Sequence, residues 1–266
     1  MDDVLGYEGK HTLVTGAASG MGAATTALLV ELGARVTAMD VKPVETAGVT
    51  SITVDLLDQG SIADAVAAVE GPVDALFSVA GLPGPPFSDI DVLTVNFIGA
   101  RELIEALAPS MPAGSAIACV ASNAGLGWQN EYDSLLPLIS TGGFAAAQQW
   151  VEDNPEGLAA NMGYLYSKKV TNAWVAWRAP AMIAERGIRL NNTNPGPTET
   201  PMMPSFESFA GKEMIDAFIG PSGRRSTAEE QAWPLLFLNS PRSSYITGEA
   251  LHTDAGFQAA QVTGQL

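Results

Sequence analysis

The sequence predicts an α/β fold, a doubly wound parallel sheet of about seven strands with helices on both faces. Three observations carry this expectation. Short apolar runs of strand length alternate with segments of helical periodicity from residue 11 to residue 256. The runs are apolar throughout and not alternately polar, as strands covered on both faces require. Hydrophobic residues make up 47% of the 266 and charged residues only 16%, and no Pro/Gly/Ser-rich linker divides the chain. A single domain spanning 1–266 with one substantial core is therefore expected.

The elements follow in order. HTLVTG (11–16) reads as the first strand and GAATTALLVELG (22–33) as the helix behind it. ARVTAMD (34–40) and SITVDL (51–56) are the second and third strands, QGSIADAVAAVEG (59–71) a short helix, and VDALFSVAG (73–81) the fourth strand. A long helix is expected over 91–111, the fifth strand over 115–122, a second long helix over 162–186 and the sixth strand over 188–196. A helix near 227–239 and a strand over 250–256 complete the sheet. Two segments break the alternation. Residues 123–161 form an insertion with a helical stretch of its own, FAAAQQWVED, and residues 201–223, rich in Met and Phe, suggest a lid over a site.

Charge and composition exclude several classes of function. A net charge of −16 repels phosphate backbones and anionic lipids, so neither nucleic acid nor a membrane surface is an expected partner. The N-terminal MDDVLGYEGK lacks the apolar core of a signal peptide, and no apolar run approaches membrane-spanning length, so a cytoplasmic protein is expected. Cys119 has no disulfide partner, and His11 and His252 have no ligand-spaced neighbours, so no metal site is expected.

The strongest local signal is TGAASGMG, directly after the first strand. Glycines at a strand-to-helix turn let the backbone approach a pyrophosphate closely, and the helix N-terminus offers free N–H groups to it. Gly16, Ser19, Gly20, Met21 and Gly22 are the candidate contacts of a Rossmann-type dinucleotide site. Asp40 ends the second strand about twenty residues further on, where a carboxylate accepts both adenosine ribose hydroxyls and repels a 2′-phosphate. The turn carries no base to offset that repulsion, so NAD is expected over NADP.

NMGYLYSKKV (161–170) holds two tyrosine–lysine pairs on a helix: Tyr164 with Lys168 and Tyr166 with Lys169. Spacing alone leaves both open as a site or as a solvated face.

In their order along the chain these motifs resemble the short-chain dehydrogenase/reductase family, from Thr15 to about Gly256. They are TGAASGMG, Asp40, Asp55-Leu56, Ala80-Gly81, Asn96 in VNFIG, Ser122, Tyr164-x-x-Ser167-Lys168 and NPGPTET at 194–200. The long gap between Ser122 and Tyr164 resembles the bacterial 3α-hydroxysteroid dehydrogenase/carbonyl reductase subgroup. The resemblance selects Tyr164 and Lys168, and leaves Tyr166 to pocket or packing. It implies Tyr164 as general acid/base, Ser122 as the group holding the substrate oxygen, Lys168 as the stabiliser of phenolate, and Asn96 as the shaper of a proton path. Lys168 is expected to draw the phenol well below its ordinary value, an effect worth about 3–4 kcal/mol. Asp55 and Leu56 are implied beside the cofactor's adenine, Lys168 at its nicotinamide ribose, Pro195, Gly196, Thr198 and Thr200 beside its nicotinamide, and Ala80, Gly81 and Tyr164 as further cofactor contacts. Leu82, Phe87, Asn123, Leu126, Trp128, Met202, Met203 and Phe206 are the expected substrate pocket.

Two departures stand out: Val79 replaces the family's asparagine before Ala80-Gly81, and Ala255 replaces a glycine in Asp254-Ala255-Gly256. The expected function is NAD-dependent interconversion of an apolar cyclic secondary alcohol and its ketone, a small-molecule substrate, by a homodimer or homotetramer. An NADPH-dependent 3-oxoacyl-carrier-protein reductase and a non-catalytic dinucleotide-binding sensor are the alternatives.

Overall fold

Alternation of side chains across the sheet explains why the strands are apolar throughout. In the computed structural model, which describes residues 3–265, the chain starts with β1 (His11–Thr15), α1 (Gly20–Glu31), β2 (Arg35–Asp40), β3 (Val49–Thr53) and α2 (Gln59–Ala67). β4 (Ala75–Ser78) leads into α3 (Asp89–Leu93), a π-helical stretch over Thr94–Gly99, α4 (Ala100–Leu107) and β5 (Ala116–Val120). Three helices, α5 (Tyr132–Ile139), α6 (Phe144–Asp153) and α7 (Pro155–Asn161), precede the long α8 (Gly163–Arg186) and β6 (Arg189–Pro195). The chain continues through β7 (Thr198–Glu199), α9 (Met203–Ala210), α10 (Lys212–Asp216), β8 (Ser226–Thr227), α11 (Ala228–Asn239), β9 (Ala250–Thr253) and α12 (Phe257–Val262).

The main sheet has seven strands in the order β3-β2-β1-β4-β5-β6-β9, all parallel. Leu13, Leu76, Ile117 and Cys119 face one core, shared with α2, α4, α5 and α8. Their neighbours Val14, Phe77, Ala118 and Val120 face the other, shared with α1 and α11. Each large apolar side chain buried this way contributes about 1.5–3 kcal/mol. One such residue per face at each step holds the sheet between its two helix layers. Among the described residues no helix is long and apolar enough to cross a membrane.

Two expectations are corrected. The third strand lies over Val49–Thr53, not 51–56, which leaves Asp55 and Leu56 in the turn after it. The helix expected over 91–111 is interrupted by the π-helical stretch that carries Asn96. There it passes so near the turn after β3 that a Cβ on Gly99 would lie 2.1 Å from the Leu56 carbonyl oxygen. Residues 201–223 contain the helices α9 and α10, too short to show a clear period in the sequence.

The 123–161 segment contains the expected helix at Phe144–Asp153 and two more beside it. It is tied to α4. The buried Arg101 guanidinium stacks 5.2 Å from the Phe97 ring centre and donates to Thr141 Oγ1 at 3.0 Å and the Gly143 carbonyl at 2.9 Å. The Glu102 carboxylate accepts from the Phe144 N–H at 3.0 Å, at the start of α6.

Candidate active site

The strand order reverses beside β1: β2 and β3 lie to one side, β4 and β5 to the other. A crevice opens at the carboxyl ends of the strands at such a point, and the glycine turn sits there. Gly16 has φ +69°, and a Cβ on it would lie 2.8 Å from the Ala80 nitrogen. On Gly22 a Cβ would lie 2.0 Å from the Gly16 carbonyl oxygen, so α1 packs directly onto the turn. Thr15 Oγ1 accepts from the N–H groups of Val79 and Ala80 at 3.0 and 3.1 Å, which fixes the end of β4 to β1 despite the missing asparagine. The Ser19 side chain does not cap α1, which leaves first-turn N–H groups without that side-chain acceptor and able to bind an anion. Asp40 Oδ2 accepts from the Ala18 N–H and Oδ1 from the Lys42 N–H, both at 3.1 Å. That aims a carboxylate at the edge of the turn. Asp55 Oδ1 accepts from the Leu57 N–H at 2.9 Å, and Leu56 is buried beneath Gly99. The close-packed glycines, the uncapped helix end and the carboxylate fit a nicotinamide dinucleotide.

The second cluster joins β5 to α8. Gly163 has no room for a side chain, since a Cβ would lie 2.6 Å from the Asp89 Cα, and its N–H donates to the Asp89 carboxylate at 2.8 Å. That contact sets where α8 begins, and Tyr164 follows immediately. Ser122 and Tyr164 line one cavity, Ser122 acting on the Tyr164 phenol, and the Lys168 ammonium lies 5.4 Å from the centre of its ring. Lys168 Nζ also donates to the Val120 carbonyl at 2.9 Å and is 4% exposed. Burial brings its ammonium down to about 8, with Cys119 acting in the opposite sense. Burial pushes the Tyr164 phenol up to about 12, and only Ser122 acts in the opposite sense. The direction is opposite to the expected lowering, because burial strips the phenolate of its solvation.

Asn96 Oδ1 accepts from the Leu82 N–H at 2.6 Å, and its Nδ2 donates to the Leu82 carbonyl and to Ser167 Oγ, both at 3.1 Å. It thereby clamps the loop after β4 onto α8. Tyr166 is buried at 3% exposure in the first core, and Lys169 pairs with Glu131 at 2.5 Å. Neither lines the cavity.

That cavity, of about 430 Å³, has Ser122, Tyr164 and Lys168 in its wall. Met21, Gly81, Leu82, Asn123, Pro195, Gly196, Thr198, Thr200, Met202, Met203 and Phe206 also line it. Phe206 meets the Tyr164 ring edge-on at 4.9 Å. Phe87, Leu126 and Trp128 are not brought to it. Phe87 is 42% exposed, and Trp128 packs against the Tyr132 ring at 6.3 Å on the helices of the 123–161 segment. Met162, Leu165 and Ile215 line the cavity without having been expected. Leu165 adjoins Tyr164, a signal that was available; Met162 owes its position to a backbone φ of +54°, which no sequence pattern marks. Lys168 is the only Lys or Arg among the described lining residues.

The family described as short chain dehydrogenase matches residues 10–132, and one described as enoyl-(acyl carrier protein) reductase matches residues 156–258. The chain is 32% identical to the 3-alpha-hydroxysteroid dehydrogenase/carbonyl reductase of Comamonas testosteroni, over 93% of this chain and 96% of that protein. It is 29% identical to the coniferyl-alcohol dehydrogenase of Pseudomonas sp. strain HR199, over 95% and 98%. The crystal structure of the 3-alpha-hydroxysteroid dehydrogenase from Pseudomonas sp. B-0831 complexed with NADH superposes with a TM-score of 0.81 at 28% identity, covering 97% of this chain and all of that one. Likeness of this extent, running through both halves of the sheet, means that the chain belongs to the short-chain dehydrogenase/reductase family.

Proposed function

We propose that the protein is an NAD-dependent dehydrogenase that interconverts an apolar cyclic secondary alcohol, of terpenoid or steroid type, and its ketone. The observation that carries this reading is the phenol of Tyr164 set into the wall of a largely apolar cavity, with Ser122 in the same wall and Lys168 one helical turn away. The cofactor supplies the hydride acceptor and, when oxidised, a positive charge. Gly16, Ser19, Gly20, Met21, Gly22, Asp40, Asp55, Leu56, Ala80 and Gly81 would hold its adenosine and pyrophosphate, and Pro195, Gly196, Thr198 and Thr200 its nicotinamide.

Ser122 holds the carbinol oxygen, and Tyr164 exchanges a proton with it. A phenol raised to about 12 stays protonated at neutral pH and is still more acidic than the secondary alcohol formed in ketone reduction, so it can donate its proton there. In the oxidation direction, added positive charge beside Tyr164 favours its phenolate. Asn96 keeps α8 and the loop after β4 in register through Leu82 and Ser167. The α9–α10 segment acts as a substrate lid. Its Met202, Met203, Phe206, Phe209, Met214 and Phe218 adapt to a bulky ring system without offering it charge.

Support for NAD rests on Asp40, whose carboxylate would repel a 2′-phosphate. Comparing kcat/KM for cyclic terpenols and hydroxysteroids with short polar or anionic hydroxy compounds tests the substrate class, and equal efficiency with the polar set would refute it. With the preferred alcohol, Asp40→Ala should move cofactor preference towards NADP, by about 10-fold or more. Wild-type preference for NADP would overturn the NAD assignment.

A further inference from the structure

The lid has little to hold it closed from within. Met203 is the one buried residue among those of α9 and α10, and their inner side chains face the cavity and not a packed core. The outer side is organised around one guanidinium. Arg225, directly before β8, has a side chain only 10% exposed. Its Nη2 donates to Glu207 Oε1 of α9 at 2.6 Å and to Asp216 Oδ1 of α10 at 2.7 Å. Its Nε donates to the same Asp216 oxygen at 3.2 Å, and its Nη1 to Glu199 Oε1 of β7 at 3.4 Å. Three carboxylates from three successive elements meet at one cation.

The root of Arg225 is itself anchored. Ser226 and Thr227 pair with Thr198 and Glu199 in the β7–β8 ladder, Thr227 caps α11, and Arg224 pairs with Glu230 of that helix at 2.6 Å. Lys212 also reaches Asp216, but from within α10, so it cannot join one element to another.

We infer that Arg225 is a positioning residue for the substrate side of the site, folding α9 and α10 into the cavity wall and so setting the preference for bulky apolar alcohols. This rests on the proposed reading of the cavity. Without Arg225, Glu199, Glu207 and Asp216 face one another with their shared cation removed. The lid is then pushed apart as well as released.

The test uses Arg225→Gln and, from the lid side, the pair Glu207→Gln/Asp216→Asn, which leaves β7 and β8 intact. KM and kcat are measured for a hydroxysteroid and for cyclohexanol, and the proteins are digested briefly with chymotrypsin. In Arg225→Gln, KM for the hydroxysteroid should rise about 10–100-fold, with kcat and the cyclohexanol constants changed much less. New cleavage should appear at Phe206 and Phe209. The lid-side pair should move in the same direction, which keeps the test decisive should Arg225→Gln fail to fold. An unchanged KM ratio together with unchanged cleavage in the folded variants would overturn the inference. Wild-type inactivity towards both alcohols would overturn the substrate reading alone, since the cleavage pattern needs no substrate and still decides the latch.

Discussion

Two tyrosines two positions apart on one helix face opposite fates. Tyr164 reaches the cavity beside Ser122, whereas Tyr166 is buried in the core between the sheet and the helices around α8. Tyr164→Phe should therefore bind NAD normally and lose turnover by about 10²–10⁴-fold, the usual worth of a positioned proton-transfer group. Tyr166→Phe should keep turnover within a few-fold. Steady-state kinetics and NAD titration of the two variants check both statements, and the reverse pattern would show that the motif had been assigned to the wrong tyrosine. This distinction was readable in the sequence only through the Y-x-x-S-K pattern, because Tyr166 with Lys169 satisfies helical spacing just as well. The pocket residues were less readable. Leu126 and Trp128 follow Ser122 closely in sequence, but the chain turns away after Ala124 and carries Trp128 onto Tyr132. Closeness along a loop says little about direction in space.

At the scale of the element, the β1–α1 turn leaves the least freedom. A methyl group on Gly22 would enter the space of the Gly16 carbonyl oxygen, so either the turn opens or α1 slides away from it. Overpacking of this kind typically costs about 1–3 kcal/mol. Here the strain falls on the N–H groups proposed to hold the pyrophosphate. Gly22→Ala should weaken NAD binding about 10–100-fold while the sheet still forms, as measured by calorimetric titration alongside circular dichroism. An unchanged dissociation constant would remove the turn from the cofactor site. Strands and long helices were recoverable because their periods repeat over many residues. The π-helical stretch at Asn96 and the helices α9 and α10 were not. The first depends on a close approach between Gly99 and Leu56, which are far apart along the chain. The others carry apolar residues that turn towards a cavity, with no continuous core stripe to betray them.

Across the whole molecule, the buried cation at the site works against stability. Folding lowers Lys168 from 10.5 to about 8, a desolvation cost on the order of 3 kcal/mol. Below pH 8 the lysine is charged in both states, and the folded protein bears the full cost. Between 8 and 10.5 it is neutral when folded and still protonated when unfolded, so wild-type stability gains from this group as pH rises. Lys168→Met removes the cost but takes a donor from the Val120 carbonyl, worth about 1–2 kcal/mol in the other direction. The variant should melt about 2–6 °C above wild type at pH 7, with that advantage shrinking by pH 10 and turnover lost. Melting curves at the two pH values decide it, and a variant no more stable than wild type at pH 7 would refute the proposed trade of stability for function. The sequence by itself determined the order of the seven main-sheet strands and the long helices between them, the glycine turn with Asp40 beyond it, and the spacing of Tyr164, Ser167 and Lys168. All of these are short-range properties, set by backbone periods and by what a turn allows. Only the tertiary structure decided which apolar residues wall the cavity, that the Tyr164 phenol rises and does not fall, and that Arg225 gathers Glu199, Glu207 and Asp216. Burial and charge at one atom are sums over groups from distant parts of the chain, and no local pattern carries those sums.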